Sequence, residues 1–342
     1  KNISLKTKIG ANLRQLTGEC DQKSFETQMQ LLYLLFTDFN CSSEFYDSLL
    51  NKYKDEYLNK KDPVFQFAQE VLLTNSKGCG HLKSLTDKEL ERITQVDVEN
   101  VYKRCFSSPE EFTVFFVGDF SIEEAEEYVV KYLASIPIKK ENSSLLNEVN
   151  CGVVFPKGVT QKEINQGFFG EARVQLSLPL EHINNRFALK EAELVCSLIE
   201  SRLQRVLFNK KLDAYSIKAR TNYPFLPDMS SAFISIVFDC SLEAKPEIVD
   251  LIFSQILDLQ SLGPTQEELI SLKHRRVNQA AKLSMGNAYW VKNLIESYLW
   301  NEFSSDAELD KYIDRIIEDG KSSRDLVQRW LAPQNYSLVT LH

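Results

Sequence analysis

Histidine is the side chain best suited to hold a metal or relay a proton near neutral pH. This chain of 342 residues has four: His81, His182, His274 and His342. A helix presents two imidazoles to one zinc ion when they lie four residues apart on the same face, beside a glutamate that polarises the metal-bound water. The two nearest histidines here, His274 and His342, are 68 residues apart, and neither H-x-x-E-H nor H-E-x-x-H occurs. Zinc catalysis by this chain alone is not expected. Cys79-Gly80-His81 is a weak metal signal and reads better as a loop. The seven cysteines are scattered and form no C-x-x-C pair. They predict reduced thiols and an intracellular, reducing compartment, cytosol or organelle matrix. Cys196 and Cys240 lie in apolar patterns and read as small core residues.

A second concentration of polar groups is Leu207–Ile217, LFNKKLDAYSI. It places Lys210 and Lys211 at the end of a long amphipathic segment and Tyr215-Ser216 at the start of a β-type one. Cations at a helix C-terminus balance its dipole. A strand tyrosine can keep its ring against the sheet and its hydroxyl in water. Neither reading by itself requires a binding site. Lys273-His274-Arg275-Arg276 reads as a solvated helix face that can also meet a partner or an acidic substrate.

The elements that must hold these groups follow from periodicity. Residues 3–17 read as extended. Ser24–Phe36 repeats its apolar residues at helical spacing, Cys41-Ser-Ser-Glu opens a capped helix to about Leu58, and Asp62-Pro63 starts a third. Phe112–Val117, FTVFFV, reads as a buried strand followed by a helix over 121–134. Residues 138–150 are polar and patternless, a linker. Beyond it, Gly152–Phe155 reads as strand. Arg173–Leu178 alternates, and Asn184–Phe208 is a long one-sided helix. Tyr215–Thr221 pairs with Ala232–Cys240. Helices follow at about 244–261, 265–285, 288–301, 306–316 and 323–331, then a strand over Tyr336–Leu341. Trp290, Trp300 and Trp330 fall among apolar neighbours and are expected in the core.

The hydrophobic share of 43% and charged share of 26% are those of a globular chain, and the length suits two domains. A net charge of −8 argues against nucleic-acid binding and weakly favours a basic substrate over an acidic one. No apolar run approaches the ~20 residues of a membrane span. The order of elements recurs at an offset of roughly 220–225 residues. Thr37–Leu58 resembles Gln260–Ala280 in its turn, cap, acidic first turn and basic middle. That offset divides the chain into 1–137, a linker 138–150, and a complete or near-complete unit 151–342. It also predicts that the first unit lacks roughly 70 residues at its N-terminus.

SFETQMQLLYLLFTDFN, FTVFFVGDF…YLASIP and LFNKKLDAYSI…SIVFDCSLEAKPEIVDLIFSQILDLQSLGPTQEELISLKHRRVNQ together resemble the C-terminal half of the insulinase (M16, pitrilysin-type) family of zinc metalloproteases, and within it the PqqL-like members. The resemblance implies an α+β fold: two M16-type (LuxS/metallohydrolase-like) units, each a mixed, mainly antiparallel sheet covered by helices, paired with another half to enclose a chamber. It implies that zinc sits at an H-x-x-E-H site in an N-terminal catalytic half, with no cofactor bound by this chain. In a catalytic unit a glutamate in the region of Glu26 is the third zinc ligand. It further implies that the tyrosine after the long helix, here Tyr215, and an arginine seven residues before it grip the peptide carbonyl and oxyanion. Phe208 stands where that arginine is usual, so one donor is lost, and Arg205, Lys210 or Lys211 is left to substitute. The partners expected are the N-terminal catalytic half and a peptide or unfolded polypeptide held by strand addition. The alternative is a proteolytically inactive structural subunit, like the core subunits of the respiratory bc1 complex, which Phe208 also suits.

Overall fold

A computed structural model describes the chain except residues 1–2, 11–12, 40, 59–61, 80–81, 107, 139–152, 167–169, 182, 211, 213, 224–230 and 284–285. It describes the backbone alone at 56–58, 87, 215, 279–283, 306 and 320. The fold is α+β. Contacts divide it into two units, Lys1–Asn59 with Ser84–Asn150, and Lys60–Lys83 with Cys151–His342.

In the first unit, β1 (Ile3–Ile9) and β2 (Arg14–Cys20) form an antiparallel hairpin. Helices α1 (Phe25–Thr37) and α2 (Ser43–Leu58) follow. The third helix, α3 (Pro63–Thr74), belongs to the second unit. The first unit resumes with α4 (Asp87–Leu90), α5 (Gln95–Phe106) and α6 (Ile122–Tyr128), which runs on into a wider turn to Leu133. Its small core is aromatic. Phe25 and Met29 of α1 are buried against Phe116, Phe120 and Tyr128. Arg14 binds the segment before α6 to β2 by donating to Cys105 O at 2.6 Å and pairing with Glu111. The expected strand at Phe112–Val117 is not one. The segment joins no ladder among the described residues, and Val114 is 44% exposed. β-branched and aromatic residues favour extended backbone, but a strand needs a neighbouring strand to pair with.

Among its described residues the second unit has five strands: β3 (Val159–Ile164), β4 (Glu171–Pro179), β5 (Ala214–Asn222), β6 (Phe233–Ser241) and β7 (Tyr336–Leu341), ordered β3-β7-β4-β6-β5. Among the described residues only β3 and β7 run parallel. The first strand lies at Val159–Ile164 and not at 153–155, and Gly152 lies outside the described residues. VTQKEI is too polar to be read as a strand alone; its partner β7 is supplied by the far end of the chain. Alternation sets the two faces. Val174, Leu176 and Leu178 of β4 and Ile234, Ile236 and Phe238 of β6 are fully buried under helices. The helices on that face begin with α7 (Arg186–Lys210), the long segment between β4 and β5. After β6 come α8 (Lys245–Leu262), α9 (Gln266–Leu283), α10 (Asn287–Leu299), α11 (Asp306–Glu318) and α12 (Gly320–Trp330). On the opposite face, α3 packs Phe67 and Val71 against Val339 and Leu341 of β7. Asn75, just past α3, donates to Ser177 Oγ and accepts from Ser337 Oγ in a buried cluster. Of the three tryptophans expected inside, Trp330 is buried and Trp300 packs partly against the core, whereas Trp290 is 48% exposed on α10.

Candidate functional site

Helix α7 carries Leu189, Ala192, Cys196, Ile199 and Leu203 on its buried stripe, which fixes its rotation on the sheet. Asn185 caps it, accepting from Ala188 N at 2.7 Å. At the other end that rotation leaves Phe208 83% exposed and Lys210 exposed at the last turn. The chain then enters β5 at Ala214.

β5 is an edge strand, bonded on one side to β6. Ala214 faces Cys240 and Ser216 faces Asp239, so two successive residues of β6 oppose positions two apart on β5. Tyr215 is therefore the extra residue of a β-bulge. Its side chain, and Lys211, lie outside the described residues. Bulges interrupt the ladder, bend the strand and re-aim a side chain, and they collect beside active sites. Ser216, the second residue of the predicted pair, donates to Asp239 Oδ2 at 3.4 Å. Arg173 grips the same carboxylate from β4 with two bonds, Nε to Oδ1 at 2.7 Å and Nη2 to Oδ2 at 3.2 Å. Between the end of α7 and β5 lies an open groove of about 560 Å³, with Leu207, Phe208, Leu212, Ser216, Ile217 and Lys218 among its lining residues. The structure thus brings Phe208 and Ser216 to one groove and places Lys210 beside it in sequence.

Two features of this site were not legible in the sequence. The edge of β5 is partly covered: Gln204 donates to Ile217 O at 3.2 Å, and Glu200 accepts from Ala219 N at 2.8 Å. Both cap backbone groups that an added strand would use. And Arg205, one of the three cations expected to stand in for an arginine at Phe208, is engaged elsewhere, with Nη2 2.6 Å from Glu268 Oε1.

The described residues do not fit a zinc ion. No group of three or more His, Cys, Asp or Glu is placed to hold a metal among the described residues. Glu26, in the region of a third zinc ligand, accepts from Lys131 Nζ and from Tyr132 Oη, each at 2.7 Å. Hydrogen bonds from Lys131 and Tyr132 hold its carboxyl below the usual range. His81 and His182 fall outside the described residues. Lys273 and Arg276 of the basic run pair with Glu318 and Asp310 of α11, so the run fastens two helices together. No helix among the described residues is long and apolar enough to cross a membrane.

Residues 92–275 match the family model described as the peptidase M16 inactive domain. Over 324 residues the chain is 24% identical to a zinc protease PQQL-like of Arabidopsis thaliana, covering 90% of this chain and 33% of the relative. Over 315 residues it is 23% identical to a probable zinc protease PqqL of Haemophilus influenzae, covering 89% and 32%. The chain spans about a third of the length of these curated relatives. Its fold matches the crystal structure of the periplasmic protease PqqL from Escherichia coli with a TM-score of 0.77 at 15% identity, over 99% of this chain and 37% of that one. That neighbour overturns the expectation of an intracellular, reducing location, since it is a periplasmic protein. The six described cysteines are free thiols. Cys41, Cys196 and Cys240 are buried, and burial pushes the Cys196 thiol well above its ordinary value. Such thiols are inert in any compartment and carry no address.

Proposed function

The chain belongs to the peptidase M16 family, in which it carries the inactive domain, and from that premise we propose that it is the non-catalytic portion of a zinc metalloendopeptidase. On this reading hydrolysis takes place at an H-x-x-E-H site in an N-terminal catalytic half. This portion closes the chamber over that site and holds the peptide. The observation that supports it most is the bulge at Tyr215, at the start of an edge strand and beside an open groove. A tyrosine hydroxyl there serves as a donor to the substrate carbonyl and to the oxyanion that develops from it. Phe208 brings no donor and Arg205 is held by Glu268, which leaves Lys210 and Lys211 as the cations of the segment.

The test uses the full-length protein that carries this chain. Tyr215→Phe is expected to lower peptide turnover by a factor of about 100, the scale of one lost oxyanion donor. The present chain alone is expected to hydrolyse nothing in a chelator-sensitive manner; chelator-sensitive hydrolysis by it would refute the reading. The exposed Phe208 favours a second reading, a scaffold subunit that has lost the grip on substrate. Turnover unchanged by Tyr215→Phe, with assembly impaired, supports that one.

A further inference from the structure

The register of the second unit lets the sheet face that α3 covers at β7, and that is exposed at β5, be read rung by rung. Ser216, Asp239 and Arg173 share one rung, and Arg173 neutralises Asp239 there. The next alternate rung holds Lys218, Val237 and Gln175; the one after it holds Arg220, Ser235 and Ser177. Lys218 and Arg220 are both exposed, and their ladder neighbours carry no charge. Two cations therefore stand about 7 Å apart on the same side of an edge strand, at the spacing of alternate residues in any extended chain. Lys218 also lines the groove, whose wall holds the exposed ring of Phe208 beside Leu212. Glu200, the acid that reaches this strand from α7, accepts from Ala219 N.

An apolar wall followed by two cations at strand spacing has a matching occupant. We propose that the groove and the adjoining β5 face form a side-chain subsite for an extended acidic peptide: one large apolar side chain against Phe208 and Leu212, then acidic side chains two residues apart over Lys218 and Arg220. This rests on the peptide-binding role above and gives it a substrate class. Recognition is by side chains, because Gln204 and Glu200 already hold Ile217 O and Ala219 N. The chain's net charge of −8 does not oppose it, since exposed charges are screened beyond about 8 Å at physiological salt and the local pair of cations decides. Phe208 is then an anchor for an apolar side chain and no failed arginine.

The experiment is fluorescence anisotropy with the full chain and three labelled peptides of one length. The first carries a phenylalanine followed by glutamates at alternate positions; the second has lysines for the glutamates; the third has serine for the phenylalanine. The first is expected to bind about tenfold tighter than the second, since two cross-strand attractions become repulsions. K218E/R220E is expected to invert that order, and Phe208→Ser to weaken the first peptide toward the third. Both changes are at exposed side chains. Equal binding of all three peptides, unmoved by the double reversal, overturns this inference and leaves the peptide-binding role standing. Binding by none of them overturns both.

Discussion

Arg202 of α7 meets Glu268 of α9 in a buried two-point ion pair, with Nε 2.7 Å from Oε1 and Nη2 bonded to Oε2. The same carboxylate accepts from Thr265 N at 2.9 Å and so caps the start of α9. Glu268 therefore holds α9 to the helix whose last turn presents Phe208 to the groove. Removing one partner leaves the other charged, buried and unpaired, which costs about 3–5 kcal/mol. Glu268→Ala is expected to lose that much in urea denaturation. A double change to apolar residues of similar volume is expected to recover most of it.

The same carboxylate gives an acid dependence. Burial alone would raise the Glu268 pKa, but hydrogen bonds from Arg202 and Thr265 outweigh it and hold the group below its ordinary 4.5. A carboxylate depressed in the folded state adds stability above its unfolded pKa and loses it as pH falls through the folded value. The denaturation midpoint is expected to drop on acidification below about pH 4.5, and Glu268→Gln to flatten that slope. A variant with the wild-type slope would show that other carboxylates set the acid limb.

The periodic elements were legible and the long-range ones were not. The stripe of α7 and the alternation of β4 are local patterns, and both elements lie within a few residues of where spacing placed them. The bulge at Tyr215 depends on register with β6, and the covers on Ile217 and Ala219 depend on how α7 lies against β5; neither is written in the local sequence. The same holds for β3, which is a strand because β7 pairs with it, and for Phe112–Val117, which has strand composition without a ladder partner among the described residues. Phe208 was singled out only through the resemblance, as a departure from its usual arginine. Its exposure and the engagement of Arg205 by Glu268 became visible only in three dimensions.

Glu191 is a buried carboxylate that gathers three donors: the Tyr312 hydroxyl, Arg329 Nη1 at 3.0 Å and Trp330 Nε1 at 3.0 Å. It joins α7 to α11 and α12. Glu191→Ala leaves the Trp330 N–H buried without an acceptor and is expected to cost about 2–3 kcal/mol. Trp330 emission should shift in the folded variant. Burial, and then the bond to Glu191, push the Tyr312 phenol up to about 12. Ultraviolet titration of the variant should show this late-ionising tyrosine moving down toward its ordinary value. An unchanged titration would mean that burial alone holds it there.

Helix α8 ends at Gly263, with φ +78° and ψ 179°, a region that essentially only glycine enters. A Cβ there would stand 3.2 Å from the Arg324 Cβ of α12, so space is short as well. Gly263→Ala is expected to destabilise the second unit by about 1–3 kcal/mol. Thermal unfolding reads the loss. An unaltered melting temperature would show that the α8–α9 connection relaxes freely.

Gln204 gives the most direct view of how the edge of β5 is kept from pairing. Its amide satisfies Ile217 O from the helix side, one residue beyond Ser216 and inside the groove. An exposed edge is otherwise a template for another strand. Gln204→Ala removes one side chain–backbone bond at a part-buried position, a loss of about 1 kcal/mol. It also frees a carbonyl for the backbone N–H of an extended peptide. Peptide affinity is therefore expected to rise while stability falls slightly, two effects of opposite sign from one substitution. Anisotropy and urea denaturation on the same preparation measure both. If affinity falls along with stability, Gln204 supports the groove and does not guard it, and strand pairing along β5 is not limited by its cap.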